Sequence, residues 1–453
     1  MSVKQSELGM SLPRGLEASF DTLLQDVLAR AAQGGADQAE AGMHRDIGIS
    51  VTARQRDIET IEYQDDRSLG ITVYRQQRKG SASTSDFSPQ AIAATVDKAL
   101  YIATQTGADE AAGLADAERM ATEFPDLQLD HTWPVSVEEM QALALRCEAE
   151  ALDAHAAISN SEGASVGSHR SYSAYANSHG FQAGRHRSSH SISCAVIAGD
   201  GDGMQRDYDY TSDRDPARLR SAEAVGASAA EAAVARLEPR KLPTQSASVL
   251  FRADIARSLV GHLLSAISGG AQYRKASFLL DAVGEQLFPS FVTINESPLL
   301  LGGPGSTTYD NEGVATQTRN IVADGVLQGL VLSSYSARRL GMQTTGNAGG
   351  VHNALVTSTA GDRDTLIGEL GSGFFVTELM GQGVNPVTGD YSRGAAGFWV
   401  ENGEIAYPVS EVTIAGNLRD MFQQVIAIGD DVDRRSVIQT GSILVDGMTI
   451  AGS

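Results

Sequence analysis

The alternation of polar and apolar residues in the first hundred positions restricts the fold most strongly. Residues 47–52, 58–63 and 70–74 alternate with the period of a β-strand that buries one face. Residues 16–32 instead place their apolar side chains on one helical stripe, and a second helix is predicted over residues 88–105. Helices on both sides of antiparallel strands predict an α+β fold for this part of the chain.

Length and glycine content extend this prediction to the whole chain. A chain of 453 residues is longer than one hydrophobic core usually accommodates, so two or three domains are expected. The 47 glycines indicate many turns, and Asn402-Gly403 and Asp446-Gly447 are typical of hairpins. We therefore predict an N-terminal lobe of helices packed on antiparallel strands, and a β-rich C-terminal lobe, barrel- or sandwich-like, with a few helices.

The domain boundaries follow from helix signals and prolines. Ser136 and Glu139 form a capping-box pattern that predicts a helix start, and Pro239 and Pro243 indicate a linker. The predicted division is a loose N-terminus at 1–15, an α+β subdomain at 16–106, a connection at 107–135, a second α+β subdomain at 136–238, a linker at 239–246 and a C-terminal β-rich domain at 247–453.

Charge and cysteine usage limit the classes of function. The net charge of −21 argues against nucleic acid as a direct ligand, because phosphate binding requires clustered Lys and Arg. Cys147 and Cys194 are too few for a disulfide framework or a cysteine-rich metal site. The first residues lack the apolar core of a signal peptide, and no run of about 18 apolar residues predicts a membrane span. We expect a cytoplasmic protein that binds neither nucleic acid nor membranes.

Two groups of side chains suggest metal sites, but neither has a suitable spacing. His186, His190 and Cys194 are four residues apart in a strand-like segment, where each step spans ~13 Å, too far for one zinc ion. The second group contains carboxylates in or beside a glycine-rich turn: Asp200, Asp202, Asp207 and Asp209. Its spacing matches no EF-hand loop, so a solvated turn is the better interpretation. His352 follows a glycine-rich stretch that either approaches a ligand or forms a tight turn.

A longer pattern points to a family. The helix after the linker carries RSLVGH at residues 257–262, and three long and unusual stretches accompany it, at 69–92, 261–281 and 381–418. The second of them reads GHLLSAISGGAQYRKASFLLD. From about residue 20 to its end, the chain resembles the PmbA/TldD peptidase family, most closely the TldE (PmbA) branch.

The resemblance implies how the zinc site of the family maps onto this chain. In the TldD branch this helix carries His-Glu-x-x-x-His, and a cysteine near the C-terminus completes the ligands. Aligning Gly261-His262 with the end of that motif places Arg257 at the first histidine and Ser258 at the glutamate. Arginine has no lone pair for a metal, serine is a poor general base without a partner, and residues 426–435 contain no cysteine.

We therefore expect a degenerate site at Arg257, Ser258 and His262, with no zinc, no other cofactor and no catalytic residue in this chain. His262 is then a structural histidine, and Arg257 is expected to pair with a carboxylate across an interface.

The resemblance also implies a role in a two-subunit enzyme. Proteins of the TldE type pair with a zinc-binding TldD-type subunit, and the pair cleaves peptides, namely modified microcin precursors, whose leaders are removed, and a labile antitoxin. This chain is then expected to shape the peptide-binding chamber within a heterodimer, or to form a homodimer in isolation. Two alternatives stay open: an autonomous metallopeptidase with an unrecognised site, and a non-enzymatic protein that modulates DNA gyrase.

One stretch is a candidate for contact with the partner or the peptide. Residues 381–410 contain aromatic and arginine side chains, which are enriched among the residues that anchor interfaces. The four candidates are Tyr391, Arg393, Phe398 and Trp399. Packing within a hairpin explains these residues equally well, so both interpretations stay open.

Overall fold

The computed structural model describes residues 12–452, which form two compact units. The first unit comprises the chain up to Gly199 together with Arg206–Ala233 and Thr308–Ala315, and the second comprises the remainder. The segment predicted to be loose, 1–15, falls largely outside the described residues. Within the described range, no helix is long and apolar enough to cross a membrane.

The N-terminal half of the chain forms one six-stranded sheet with helices against it. The strand order is β3-β2-β1-β4-β5-β6, and β1 pairs antiparallel with both β2 and β4. Strands from the predicted subdomains 16–106 and 136–238 therefore share one sheet. The elements are α1 (Leu16–Gln33), β1 (Gln38–Arg54), β2 (Asp57–Arg75), β3 (Arg78–Thr84), α2 (Pro89–Gln105), α3 (Val137–Asp153), β4 (Ile158–Asn177), β5 (Gln182–Ala198), β6 (Gln205–Asp213) and α4 (Ala222–Ala235).

The helices α1, α2 and α3 of this half begin where the sequence predicts. The Ser88 side chain accepts a hydrogen bond from the Ala91 N–H at the start of α2, and Ser136 and Glu139 form the predicted capping box of α3. The apolar stripes of α1 and α2 share a core with β2, and this core contains Phe20 and Ile71. The predicted lobe of helices packed on antiparallel strands is confirmed.

A buried carboxylate fixes the turn between β1 and β2. Gln55 and Arg56 both have positive φ, a conformation that is uncommon for residues other than glycine. Their backbone N–H groups donate to Glu148 at 2.9 and 2.8 Å, and the Glu148 side chain is fully buried. These hydrogen bonds satisfy the charge of Glu148 and hold the turn against α3.

The C-terminal half contains two sheets and several short helices. The elements are β7 (Gln245–Phe251), α5 (Ala253–Ala266), α6 (Gly269–Tyr273), β8 (Ile294–Glu296), β9 (Arg319–Ala323), β10 (Val326–Leu327), α7 (Ser334–Leu340), β11 (Ala354–Val356), α8 (Arg363–Leu370), β12 (Gly373–Met380), β13 (Asp390–Glu401), β14 (Glu404–Asn417), α9 (Leu418–Gln423), β15 (Val425–Ile428), β16 (Ile438–Gln439) and β17 (Ile443–Ala451). One sheet has the strand order β10-β9-β8-β11-β16, and the other has the order β14-β13-β12-β7-β17-β15.

The second of these sheets closes on itself. β14 pairs not only with β13 but also with β17, through residues 413–415 and 449–451. Five strands, β14, β13, β12, β7 and β17, thus form a barrel, and β15 continues from β17 outside the ring. The predicted β-rich, barrel-like C-terminal lobe is confirmed.

The two predicted hairpin signals have different outcomes. Asn402 and Gly403 both have positive φ and connect β13 to β14, as predicted for a two-residue turn. Asp446-Gly447 instead lies inside β17, where the register against β7 shifts between Val445 and Met448. The hairpin prediction there is wrong. β17 has one more residue than β7 across this shift, and the additional residue forms a β-bulge within a continuous strand.

One segment of the predicted C-terminal domain belongs to the first unit. Tyr309 packs there on Phe181, with ring centroids 5.4 Å apart, in a small cluster that also contains Ala121. Residues 308–315 of the predicted range 247–453 therefore group with the first unit. Ala121 lies in the predicted connection 107–135, whose regular structure is limited to one short 3₁₀ turn, Ala117–Arg119.

A buried ion pair organises the glycine-rich stretch that precedes His352. Glu296, at the end of β8, is 1% exposed and accepts hydrogen bonds from Arg319 Nε at 2.8 Å and from Asn347 Nδ2 at 2.7 Å. The backbone N–H of His352 donates to the same carboxylate at 2.8 Å, and the His352 ring contacts the carbonyl of Gly346. Of the two open interpretations of His352, this structure contains the tight turn.

We expect Glu296→Ala to lower the free energy of unfolding by about 3–5 kcal/mol, because it leaves the largely buried Arg319 guanidinium and the Asn347 amide without this carboxylate. The matched control is Glu285→Ala. Glu285 pairs with Arg419 at 2.7 Å but is half exposed, so the control should cost less than about 1 kcal/mol. Chemical denaturation of both variants measures the difference, and equal costs would contradict the role assigned to Glu296.

Candidate functional site

The helix that carries the predicted degenerate site is α5. It starts directly after β7, and Arg252 between them donates its backbone N–H to Val376 of β12 at 3.1 Å. One side of α5, including Leu259 and Leu263, is buried in the main C-terminal core. The positions of interest lie on the half-buried remainder of the helix. The barrel therefore sets the orientation of this helix.

Arg257 forms an ion pair with Asp433. The distance from Nη1 to Oδ2 is 3.7 Å, and the Asp433 side chain is only 6% exposed. Asp433 also accepts a hydrogen bond from Arg435 Nε at 2.8 Å. The backbone N–H of Asp433 donates to the carbonyl oxygen of Thr440. The expected partner carboxylate of Arg257 thus exists, but it belongs to the same chain, in the loop between β15 and β16.

The environment of Asp433 favours its ionised form. Burial raises the pKa of this carboxyl, but the hydrogen bonds from Arg435 and the charges of Arg435 and Arg257 outweigh burial, so the pKa lies below its ordinary value. The pair consequently stays charged at neutral pH.

Ser258 takes part only in the local structure of the helix. Its Oγ donates a hydrogen bond to the carbonyl oxygen of Ile255, three residues earlier, at 2.7 Å. This back-bonding is common for serine in helices and gives the hydroxyl no basic partner.

His262 meets β13 at Tyr391. The two rings are in edge-to-face contact, with centroids 6.0 Å apart and an interplanar angle of 76°. Nε2 of His262 is buried and has no hydrogen-bond partner within residues 12–452. Burial, and then the charge of Arg393, lower the pKa of His262, so the imidazole is neutral at pH 7.

The four residues predicted to contact a partner differ in exposure. Tyr391 is 1% exposed and Trp399 8%, and both rings belong to the main C-terminal core. Phe398 is half-buried and stacks on Phe375 with ring centroids 6.4 Å apart, whereas Arg393 is half-buried beside Tyr391. Tyr391 and Trp399 thus pack within the hairpin in this structure. Contact of these four residues with a partner or a peptide stays a prediction.

Family models and a close relative identify this arrangement. Models of the PmbA/TldA metallopeptidase match three successive parts of the chain: domain 1 at residues 39–103, the central domain at 130–237 and the C-terminal domain at 244–452. Metalloprotease PmbA of Escherichia coli O157:H7 is 49% identical over 437 residues, which is 96% of each chain. The chain belongs to the PmbA/TldD family, in its PmbA (TldE) branch.

Solved structures share the fold. A candidate modulator of DNA gyrase from Bacteroides thetaiotaomicron is similar with a TM-score of 0.92 and 26% identity, over 96% of this chain and 99% of that chain. TldE from Thermococcus kodakarensis is similar with a TM-score of 0.78 and 20% identity, over 95% of this chain and 100% of that one. The second similarity concerns the fold alone.

The donor set of this PmbA-branch chain does not fit a catalytic zinc ion. Such an ion takes three protein ligands with free lone pairs and keeps one position open for water. Here Arg257 offers a cation and Ser258 a hydroxyl bonded to its own helix. In the region that the structure describes, no group of three or more His, Cys, Asp or Glu side chains could hold a metal ion. We derive no zinc-dependent step for this chain.

The other sequence candidates have structural partners. His190 contacts Ser168 Oγ at 3.0 Å and the carbonyl of His131 at 2.9 Å, and His186 contacts Glu17. Cys194 is a buried free thiol on β5, the strand that also carries both histidines. Among the four aspartates of the turn region, Asp209 pairs with Arg220. The strand interpretation of 186–194 is confirmed by these positions.

Sequence reasoning missed two features of the site. It named residues 426–435 as the place for a cysteine but assigned nothing to Asp433, which is the residue that α5 meets there. It also separated His262 from Tyr391 and Arg393, which β13 brings to the same helix. An acidic residue opposite an arginine that replaces a metal ligand is the signal that could have indicated the first feature.

Asp433→Asn should lower the free energy of unfolding at pH 7 by about 1–3 kcal/mol, because it removes a charge-assisted hydrogen bond and one ion pair. The folded-state pKa of Asp433 is below the ordinary value of 3.8, so this contribution is present above that pH and is lost as the pH falls through the folded-state pKa. Denaturation from pH 3 to pH 7 should therefore show the difference between the variant and the native chain shrinking below about pH 4.

The control for this measurement is Asp364→Asn. Asp364 pairs with Arg363 at 3.2 Å but is 76% exposed, so a change of less than about 1 kcal/mol is expected at every pH. A pH-independent cost for Asp433→Asn would show that its effect comes from packing and not from charge.

Proposed function

We propose that this chain is the subunit of a two-component peptidase that holds and positions the peptide, while a TldD-type subunit binds zinc and performs hydrolysis. The observation that carries the proposal is the Arg257–Asp433 ion pair. It connects α5 to the loop after β15, the two elements that supply the zinc ligands in the TldD branch.

The physical argument concerns charge. A guanidinium at the position of the first histidine repels a divalent cation and cannot donate a lone pair to it. The carboxylate of Asp433 is already engaged by two arginines, Arg257 and Arg435, so it is not available as a ligand. The ion pair joins the helix and the loop without a metal, which preserves the fold while removing its hydrolytic chemistry.

An open sheet edge suits the binding of an extended chain. β3 pairs with residues 69–75 of β2 only, so residues 57–68 of β2 have no neighbour on that side within the described sheet. Most side chains of this portion are exposed, including Tyr63 at 56%. Extended peptides bind to such edges by adding a strand, and a partner subunit can use the same edge.

The substrates follow from this mode of binding. A chain that adds to a sheet edge must be unfolded or readily unfolded, which fits the removal of microcin leaders and the turnover of an antitoxin. The net charge of −21 and the two buried free thiols are compatible with a cytoplasmic site of action. In the absence of its partner, the chain is proposed to form a homodimer.

Reconstitution tests the division of roles. Metal is removed from one of the two subunits at a time before they are mixed. The native chain alone should not cleave an unstructured peptide labelled with a fluorophore and a quencher. Activity should appear when the TldD-type subunit is added. If this chain is treated with a chelator and then dialysed before mixing, activity should persist, whereas the same treatment of the TldD-type subunit should abolish it.

Two outcomes would contradict the proposal. One is zinc-dependent cleavage by this chain alone. The other is loss of activity when only this chain has been depleted of metal. Either result would favour an autonomous metallopeptidase.

Ser258→Ala provides an independent test of the position that aligns with the catalytic glutamate. Because the Ser258 hydroxyl donates only to its own helix, the reconstituted cleavage rate should stay within about twofold of the native rate. Loss of a general base would instead lower kcat by about 10²–10⁴-fold. A decrease of that size, with an unchanged Tm, would assign chemistry to this chain.

A further inference from the structure

Three polar atoms beside α5 are buried without a hydrogen-bond partner in the described part of the chain. They are Nε2 of His262, the hydroxyl oxygen of Tyr391 and Nε of Arg393. Buried polar groups are nearly always hydrogen-bonded, because leaving one unpaired is unfavourable. Three of them on neighbouring side chains therefore indicate a ligand.

The three side chains lie close together. The rings of His262 and Tyr391 are in edge-to-face contact, with centroids 6.0 Å apart. Tyr391 and Arg393 occupy alternate positions of β13 and so project from the same face of the strand. The cluster thus consists of His262 from α5 and of Tyr391 and Arg393 from one face of β13.

Arg393 has no counter-ion in the described part of the chain. No Asp or Glu among residues 12–452 pairs with it, and the residues opposite Tyr391 and Arg393 on β14 are Gly416 and Ile414. Burial and the positive charge of Arg393 both lower the pKa of His262. Burial raises the pKa of Tyr391, and the charge of Arg393 partly offsets this rise. No described carboxylate contributes to either shift. The cluster is therefore locally positive in a chain whose net charge is −21.

The exposure of the three residues is graded. Tyr391 is 1% exposed, whereas His262 and Arg393 are half-buried. The three unpaired atoms are themselves buried, so a small group would have to enter past the exposed parts of His262 and Arg393 to pair with them.

We infer that His262, Tyr391 and Arg393 form a binding site for one carboxylate group, such as the C-terminal carboxylate of a peptide. A carboxylate accepts several hydrogen bonds, and a guanidinium donates two of them in a matching planar geometry. The protonated Tyr391 hydroxyl and one imidazole N–H supply further donors. Each unpaired atom then has a partner, and the charge of Arg393 is neutralised.

Other ligand classes fit less well. A divalent cation is repelled by Arg393 and finds at most one imidazole lone pair. A phosphate dianion brings two charges to a single guanidinium, so one charge would stay unpaired in a partly buried site, which is unfavourable. A monoanion matches the site in both charge and donors.

This inference deepens the proposed function, because it names the end of the peptide that the subunit holds. The site lies entirely on this chain, so binding is measured without the TldD-type subunit. A failed reconstitution and a failed binding measurement can therefore be distinguished.

The test measures the binding of four probes to the full-length native chain by calorimetry and by the shift in Tm. The probes are acetyl-trialanine with a free carboxylate, the same peptide as its C-terminal amide, acetate and inorganic phosphate. We expect the free acid to bind at least about tenfold more tightly than the amide, since one charge-assisted hydrogen bond accounts for about 10- to 100-fold in affinity. Acetate should compete with the free acid.

Two variants and a control locate the site. Arg393→Gln should weaken binding of the free acid about 10- to 100-fold, and Tyr391→Phe, which removes only a hydroxyl, should weaken it about 3- to 10-fold. Arg363→Gln alters an arginine that pairs with its neighbour Asp364 on α8, and it should bind as the native chain does. Tyr391→Phe should also retain the Tm of the ligand-free native chain, so that weakened binding is not a folding defect.

Three results would overturn the inference. The first is equal binding of the free acid and the amide. The second is binding of the free acid that both Arg393→Gln and Tyr391→Phe retain. The third is binding of phosphate but of neither carboxylate, which would assign a different anion to the cluster. Binding of acetate without the peptide acid would limit the site to small free acids and would exclude the peptide terminus.

Discussion

The geometry of the C-terminal half depends on the hydrogen bonds of β7. This strand pairs in parallel with β12 and antiparallel with β17, and Val249, Leu250 and Phe251 are fully buried. Because both edges of β7 are occupied, its end cannot shift, and α5 begins two residues later. The pairing of β14 with β17 closes the ring and fixes β13 beside the same helix. The relative positions of Arg257, His262 and Tyr391 follow from these pairings.

Under the proposed function, an ion pair in place of a metal site would let one fold serve two roles within the PmbA/TldD family. A bound zinc ion would join α5 to the loop after β15 by coordination, and here Arg257 and Asp433 join the same two elements by charge and hydrogen bonding. The packing of α5 on the barrel does not require the metal, because Leu259 and Leu263 are buried in the core.

Local patterns allowed the prediction of elements whose signals lie within a few residues, such as the caps at Ser88 and Ser136 and the turn at Asn402-Gly403. Pairings between distant segments have no such signal. The joining of β1 to β4, the placement of 308–315 in the first unit and the partner of Arg257 all depend on long-range contacts. The family resemblance pointed to residues 257–262 and 426–435, but it could not indicate that Arg257 and Asp433 pair between these two segments.

The bulge at Asp446-Gly447 has a consequence for how β17 can vary. Before the bulge β17 pairs with β15 and β7, and after it the strand pairs with β7 and β14. Across the bulge Val445 and Met448 lie on the same face of the strand, opposite Val249 and Ala247 of β7. Deleting either Asp446 or Gly447 would therefore restore regular alternation and leave Met448 and Ile450 facing inward, whereas deleting both would turn these two side chains toward the solvent. The last strand can therefore lose one residue at this point and keep its inward face, because the bulge supplies one residue more than regular alternation requires.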